Sequence, residues 1–110
     1  MAIKNHKALY KLYIGLNVDN SENTPAQQAS RKSLAIELAS VTAGLIDTGL
    51  TVFDTNGYWD GKPEPSIVIE IMAAKTDMPR IELLAQSIKT ALSQNCVLIT
   101  MTQVRAAFIS

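Results

Sequence analysis

Residues able to do chemistry are few in this sequence, and most of them fall in one stretch, NGYWDGKPEPSIVIE, from Asn56 to Glu70. It holds the only Trp, one of three Tyr, two of five Gly, two of four Pro and two Glu. Tyr58 and Trp59 are large aromatics in a segment that reads as a loop, where exposed apolar area is unfavourable unless something packs on it. Glu64 sits between two prolines, which stiffen the backbone and leave its carboxylate on a rigid rail, as suits a site. Glu70 is different: it reads as mid-strand, on the side of Val68 and Met72, where an interface carboxylate paired by a partner's donor is the stronger reading than a catalytic one. The plain alternative for the whole stretch is a decorated hairpin, since Asn56-Gly57 and Asp60-Gly61-Lys62-Pro63 are both turn formers.

Other chemistries are poorly served. His6 is the single His and Cys96 the single Cys, so no zinc set or His-based acid–base pair can be assembled. Cys96 opens the apolar run CVLITM and reads as a small buried hydrophobe; a nucleophile would want a His or basic neighbour. The segment GLNVDNSEN after the first strand has neither the GxGxxG spacing nor a Walker Lys, so nucleotide phosphates are not the obvious ligand.

The elements that must position these residues follow from periodicity. Leu9 to Val18 (LYKLYIGLNV) alternates, with Leu12, Ile14, Leu16 and Val18 on one side and Tyr13, Gly15 and Asn17 on the other, which predicts a strand. DNSEN supplies turn formers. Thr24-Pro25-Ala26-Gln27 then combines a capping Thr, Pro at the first helical position and the Gln of a capping box, so a helix starts there. Its expected core stripe is Leu34, Leu38, Val41 and Leu45, and Gly49 is the expected stop. Leu50 to Thr55 (LTVFDT) and Ser66 to Ala74 (SIVIEIMAA) read as strands on either side of the aromatic stretch. Asp77 is the expected cap of a second helix with core positions Ile81, Leu84, Ala85, Ile88 and Leu92. Cys96 to Met101 (CVLITM) reads as a strand, and Val104 to Ile109 (VRAAFI) as a short fifth.

The order β-α-β-β-α-β with an extra C-terminal strand fits an α+β ferredoxin-like sandwich, with two helices over one face of an antiparallel sheet. At 110 residues the chain makes one domain over residues 1–110, with 1–8 a flexible tail. The third strand is apolar on both sides, Ile67, Ile69 and Ile71 on one and Val68 and Met72 on the other. An uncovered apolar face needs a partner, so a closed homo-oligomer built through the sheets is expected.

With 47% hydrophobic and 18% charged residues the composition is globular. Ten basic and ten acidic residues cancel, with no basic patch interleaved with aromatics, which argues against nucleic acid. No apolar run approaches the roughly 20 residues a membrane span needs, and MAIKNHKALYKLY lacks a signal peptide's apolar core. A cytoplasmic location is expected, in keeping with a single cysteine.

In their order and spacing, several segments resemble the phage-encoded S-adenosylmethionine lyases, once described as SAM hydrolases. These are LYKLYIGLNVDN, the helix SRKSLAIELASVTAGL, the Tyr of TNGY, the Glu of EPSIV, QNCVLITM and the closing RAAFI. The resemblance spans most of the chain and rests above all on Thr-x-x-Tyr, then Glu-x-Ser-x-Val, then Cys-Val-Leu. It implies that Tyr58 and Glu64 are the active-site residues, with Glu70 as second candidate because the Tyr-to-Glu loop is short beside some members. It also implies a PII-like homotrimer with substrate held between neighbouring subunits, and no cofactor.

The implied reaction cleaves S-adenosylmethionine to 5′-methylthioadenosine and L-homoserine lactone. The substrate's own carboxylate attacks its γ-carbon and expels a neutral thioether, so no water, metal or enzyme nucleophile is required. On this reading Glu64 binds the ammonium or the sulfonium, and Tyr58 donates a hydrogen bond or packs its ring on the cation. Trp59 either stacks on adenine or packs between subunits, and backbone groups near Met101 are candidates for adenine recognition. Depletion of host S-adenosylmethionine would then starve methylation and restriction. Rival readings are a PII-like or ferredoxin-like sensor that binds without turnover, an α+β-barrel monooxygenase, for which the lone His6 is a poor basis, and a structural phage component.

Overall fold

The alternating run becomes strand β1, Ala8–Gly15, in the computed structural model, which describes residues 8–18, 23–107 and 109. Ala8, Tyr10, Leu12 and Ile14 are buried, while Leu9, Lys11, Tyr13 and Gly15 alternate to the other face. The rest of the tail expected over residues 1–8, including His6, lies outside the described residues, as do 19–22 of the expected turn; Ala8 itself is fully buried.

Helix α1, Pro25–Ile46, starts as its sequence dictates. Thr24 Oγ1 accepts from the Gln27 amide at 3.2 Å, and the Thr24 amide donates to Gln27 Oε1 at 2.8 Å, closing the capping box. Its buried stripe is not the expected one. Ala35, Ala39 and Ala43 face the core, and of the expected set only Leu38 packs partly against it, while Leu34, Val41 and Leu45 are exposed. From Leu34 onward the helix carries apolar residues on more than one face, so size misleads: alanines at four-residue spacing let its backbone approach the sheet closely, and larger side chains face outward. Leu38, Val41 and Leu45 instead border a groove shared with the second helix. The helix ends at Asp47, which takes the left-handed conformation, φ 61°; Gly49 lies beyond the end.

Strands β2, Leu50–Trp59, and β3, Lys62–Ala73, form one long hairpin. The expected loop between them is strand: Asn56 pairs with Pro65, Gly57 with Glu64, Tyr58 with Pro63 and Trp59 with Lys62. The turn is Asp60-Gly61, with φ of 53° and 76°, a two-residue connection whose positive φ suits Asp-Gly. Two prolines are tolerated because β1 ends at Gly15, leaving residues 62–65 with a partner strand on one side only. The Leu16 amide donates to the Pro65 carbonyl at 2.9 Å, tying the base of this arm to the end of β1.

A 3-10 turn, Lys75–Asp77, leads into α2, Met78–Ala91. Asp77 stands at the N-cap position of α2 as expected, but its side chain makes no capping hydrogen bond there; its carboxylate accepts from the Ala74 amide at 2.9 Å and closes the short turn instead. Ile81, Leu84, Ala85, Ile88 and Leu92 are buried, as their spacing predicts. Strand β4 is Leu98–Gln103, two residues later than expected at each end. No fifth strand forms over the described residues 104–107, and Phe108 and Ser110 lie outside them. Beyond Gln103 the chain has already paired β4 to β1 as far as Ala8, and VRAA continues unpaired.

The sheet order is β2-β3-β1-β4, every neighbour antiparallel, with the order βαββαβ of a ferredoxin-like sandwich. Its inner face joins Tyr10, Leu12 and Ile14 to Ile67, Ile69 and Ile71 under the helices. Tyr10 is fully buried, yet its hydroxyl donates to the carbonyls of Ala74 at 2.8 Å and Lys75 at 3.1 Å. Among the described residues no helix covers the outer face: Tyr13, Val68, Phe53 and Leu98 share one row, with Tyr13 40%, Phe53 45% and Leu98 57% exposed. Among the described residues no helix is long and apolar enough to cross a membrane.

Candidate active site

Above the apolar row, the outer face narrows to small residues. Gly15, Ser66 and Thr55 lie side by side across three strands, and the next rung pairs Gly57 with Glu64. Thr55 and Ser66 hydrogen-bond through their hydroxyls at 2.7 Å. Glycine at position 15 has a specific reason. A Cβ there would lie 1.6 Å from Glu64 Oε1 and 2.8 Å from its carboxyl carbon, so the Glu64 carboxylate lies directly over the bare Gly15 backbone.

A second segment closes over the same place. After α2, Ser93 adopts φ 52° and the chain turns through Gln94, Asn95 and Cys96 before β4. This turn is held by two side chains. Arg31 on α1 donates to the carbonyls of Leu16 at 2.7 Å and Asn17 at 3.4 Å, and also to that of Leu92, joining the exit of β1 to the end of α2. The Gln94 carboxamide donates to the same Asn17 carbonyl. Asn17, itself buried, accepts from Gln28 Nε2 at 2.9 Å. Guanidinium donors on several backbone carbonyls make a rigid clip, and Gln94 Oε1 is left 3.1 Å from where a Gly15 Cβ would be.

Together these segments line a half-open cavity of about 320 Å³, a size within the range of small-molecule sites. Tyr13 and Leu98 give it an apolar side; Glu64, Ser66, Gln94 and Asn95 give it a polar one. Tyr58 borders it from the arm and is 74% exposed. Such a pocket can hold a molecule with an apolar or aromatic part and a cationic or hydrogen-donating part.

Of the residues singled out by sequence, Tyr58 and Glu64 come together here, and Glu70 and Met101 do not line the cavity. Glu70 lies on the outer face two rungs along from Ser66, where Lys11 Nζ of the same chain sits 3.5 Å from its carboxylate and gives it an ion-pair partner within the chain. Met101 pairs with Tyr10 in β4. Trp59 ends β2 beside the hairpin turn, and the expectation for its indole lies outside the described side chains. Cys96 is exposed at the cavity, not buried in a strand, because β4 begins after it. Tyr13, Gly15, Gln94 and Asn95 were not marked as site residues. A Gly on the outer face of an otherwise full strand was the one sign of a close approach.

No family model and no curated protein matches the chain. Solved structures do. A phage SAM lyase in complex with S-methyl-5′-thioadenosine superposes with TM-score 0.70 at 15% identity, over 97% of this chain and 88% of that one. The same enzyme type in its apo state gives 0.69 at 16% identity, over 94% and 86%. The chain folds as phage SAM lyases do. A DUF3240 family protein from Shewanella baltica shares the fold too, with TM-score 0.66 at 8% identity over 94% of this chain and 98% of that one.

Proposed function

We propose that the protein is an S-adenosylmethionine lyase, cleaving its substrate to 5′-methylthioadenosine and L-homoserine lactone in the cavity beside Glu64 and Tyr58. The observation that carries this reading is the coincidence of two independent lines. The residues that resemble the lyase active site, Tyr58 and Glu64, border one cavity, in a fold shared almost end to end with a lyase that binds methylthioadenosine.

The chemistry asks little of the protein beyond shape and charge. The substrate carboxylate forms a C–O bond to its γ-carbon as the C–S bond breaks, and the electron pair of that bond stays on sulfur. No proton moves. A sulfonium and a carboxylate cancel as the transition state forms, so a site that excludes water favours it over the separated charges. Holding the methionyl chain folded near its attack geometry supplies effective molarities on the order of 10⁵ M or more. Glu64 would fix the cationic part of the substrate, and Tyr58, on the exposed arm, would place its ring or hydroxyl over it.

Assembly belongs to the same reading. The exposed Tyr13, Phe53 and Leu98 form an apolar strip on the outer sheet face, next to the cavity, and a homotrimer packed through these faces would dry both the strip and the site. In a phage setting the consequence would be loss of host S-adenosylmethionine.

The test is chromatographic: purified protein is mixed with S-adenosylmethionine and the mixture resolved for methylthioadenosine. Product is expected from the parent and at least tenfold less from Glu64→Gln. Substrate returned intact would leave the non-catalytic binding protein as the better reading.

A further inference from the structure

We propose that Gln94 and Glu64 together form the seat for a primary ammonium, so that Glu64 serves the substrate's amino group and not its sulfonium. The inference rests on the lyase reading for the identity of the ligand, and on the geometry around Gly15 for the chemistry.

Two oxygens converge over one glycine. From the position of a Gly15 Cβ, Glu64 Oε1 is 1.6 Å away and Gln94 Oε1 is 3.1 Å away, so the two acceptors lie at most about 4.7 Å apart. An ammonium that donates to two acceptors at about 2.8 Å along tetrahedral directions spans about 4.6 Å between them. Because the two oxygens are no farther apart than about that span, one nitrogen can lie within hydrogen-bond reach of both.

The orientation of Gln94 is what makes it an acceptor. Its Nε2 is committed to the Asn17 carbonyl, which Arg31 also grips. With the amide nitrogen held there, Oε1 must face the cavity. One charged and one neutral acceptor suit a group with several N–H donors. A sulfonium has no hydrogen to donate, and a second, neutral acceptor would do little for it. Tyr13 and Leu98 on the apolar side of the cavity leave the thioether half of the ligand a suitable surface.

S-adenosylhomocysteine is the probe: it keeps the ammonium, lacks the sulfonium, and cannot undergo the reaction. Its affinity is measured by calorimetry for the parent and for Gln94→Met, alongside the analogue in which the amino group is replaced by hydrogen. Loss of the ammonium is expected to weaken binding to the parent by tenfold or more, and this arm needs no variant. Gln94→Met is expected to weaken S-adenosylhomocysteine by about tenfold and to leave the desamino analogue within about twofold. Equal losses on both ligands would make Gln94 a merely structural residue and overturn the inference, as would a parent indifferent to the amino group or unable to bind either ligand. Turnover of S-adenosylmethionine is scored separately, so a protein that binds by the ammonium without releasing methylthioadenosine defeats the lyase reading alone.

Discussion

Gly15→Ala is the sharpest perturbation, because it acts on Glu64 without touching it. The new methyl would stand 1.6 Å from Glu64 Oε1 and 2.8 Å from its carboxyl carbon, far inside any real contact, so the carboxylate must leave. What gives way is the end of a flexible side chain, and the Gly15 backbone is not in the left-handed region, so the strand itself is undisturbed. Alanine also narrows the unfolded ensemble, worth about 0.4–1 kcal/mol in favour of the fold. Stability should therefore stay within about 1 kcal/mol of the parent, a melting shift of no more than about 8 °C for a chain of this size. Activity should not. An evicted Glu64 forfeits a charged hydrogen bond worth about 1.5–3 kcal/mol, or about 10- to 150-fold in kcat/KM. Methylthioadenosine formation and thermal unfolding are measured on the same preparations, with Glu64→Gln and the double variant. The double variant should lose little more than either single one, since both remove the same interaction. Full activity in Gly15→Ala would refute the placement of Glu64, and a collapse in melting temperature would show that the glycine serves packing instead.

Three further outcomes follow from the same coordinates. Tyr10→Phe should lose about 0.5–1.5 kcal/mol at pH 8, by urea unfolding, for the hydroxyl's bonds to the Ala74 and Lys75 carbonyls; burial, then the Asp77 charge, raises the phenol's pKa above 10.0, so the parent's advantage is whole below pH 10 and shrinks as pH climbs through the folded value, where the unfolded chain ionises first. Arg31→Met should lose about 2–3 kcal/mol, because three carbonyls surrender a charged donor; a loss under about 1 kcal/mol by urea unfolding would mean that the clip does not hold β1 to α2. Phe53→Asp, at the β2 end of the exposed outer row, should shift the protein to monomers in sedimentation, and a parent that already sediments as a monomer would remove the proposed assembly.

Much of this architecture could be read from the chain, and the failures have identifiable causes. Period two in β1 and the four-residue spacing in α2 were unambiguous because each element has one buried face. The start of α1 was legible through local chemistry, Thr24 with Gln27, whereas its buried face was not, since Leu34, Val41 and Leu45 are as apolar as the alanines that pack inward. The arm was misread as a loop because Pro63 and Pro65 argue against a strand. Only the early end of β1 makes them harmless, and no local rule reveals where a neighbouring strand stops. Tyr58 and Glu64 stood out by type. Gln94 and Gly15 did not, because their role depends on segments nearly eighty residues apart meeting across the sheet end, which the fold supplies and local pattern cannot.

The most direct measurement is the fate of labelled water. S-adenosylmethionine is turned over in H₂¹⁸O by the purified protein, and the first-formed four-carbon product is examined by mass spectrometry beside methylthioadenosine. Equal amounts of methylthioadenosine and homoserine lactone, with no ¹⁸O in the lactone, are expected if the substrate's own carboxylate displaces the thioether. Homoserine carrying ¹⁸O at its hydroxyl as the first product, or substrate recovered unchanged, would contradict it.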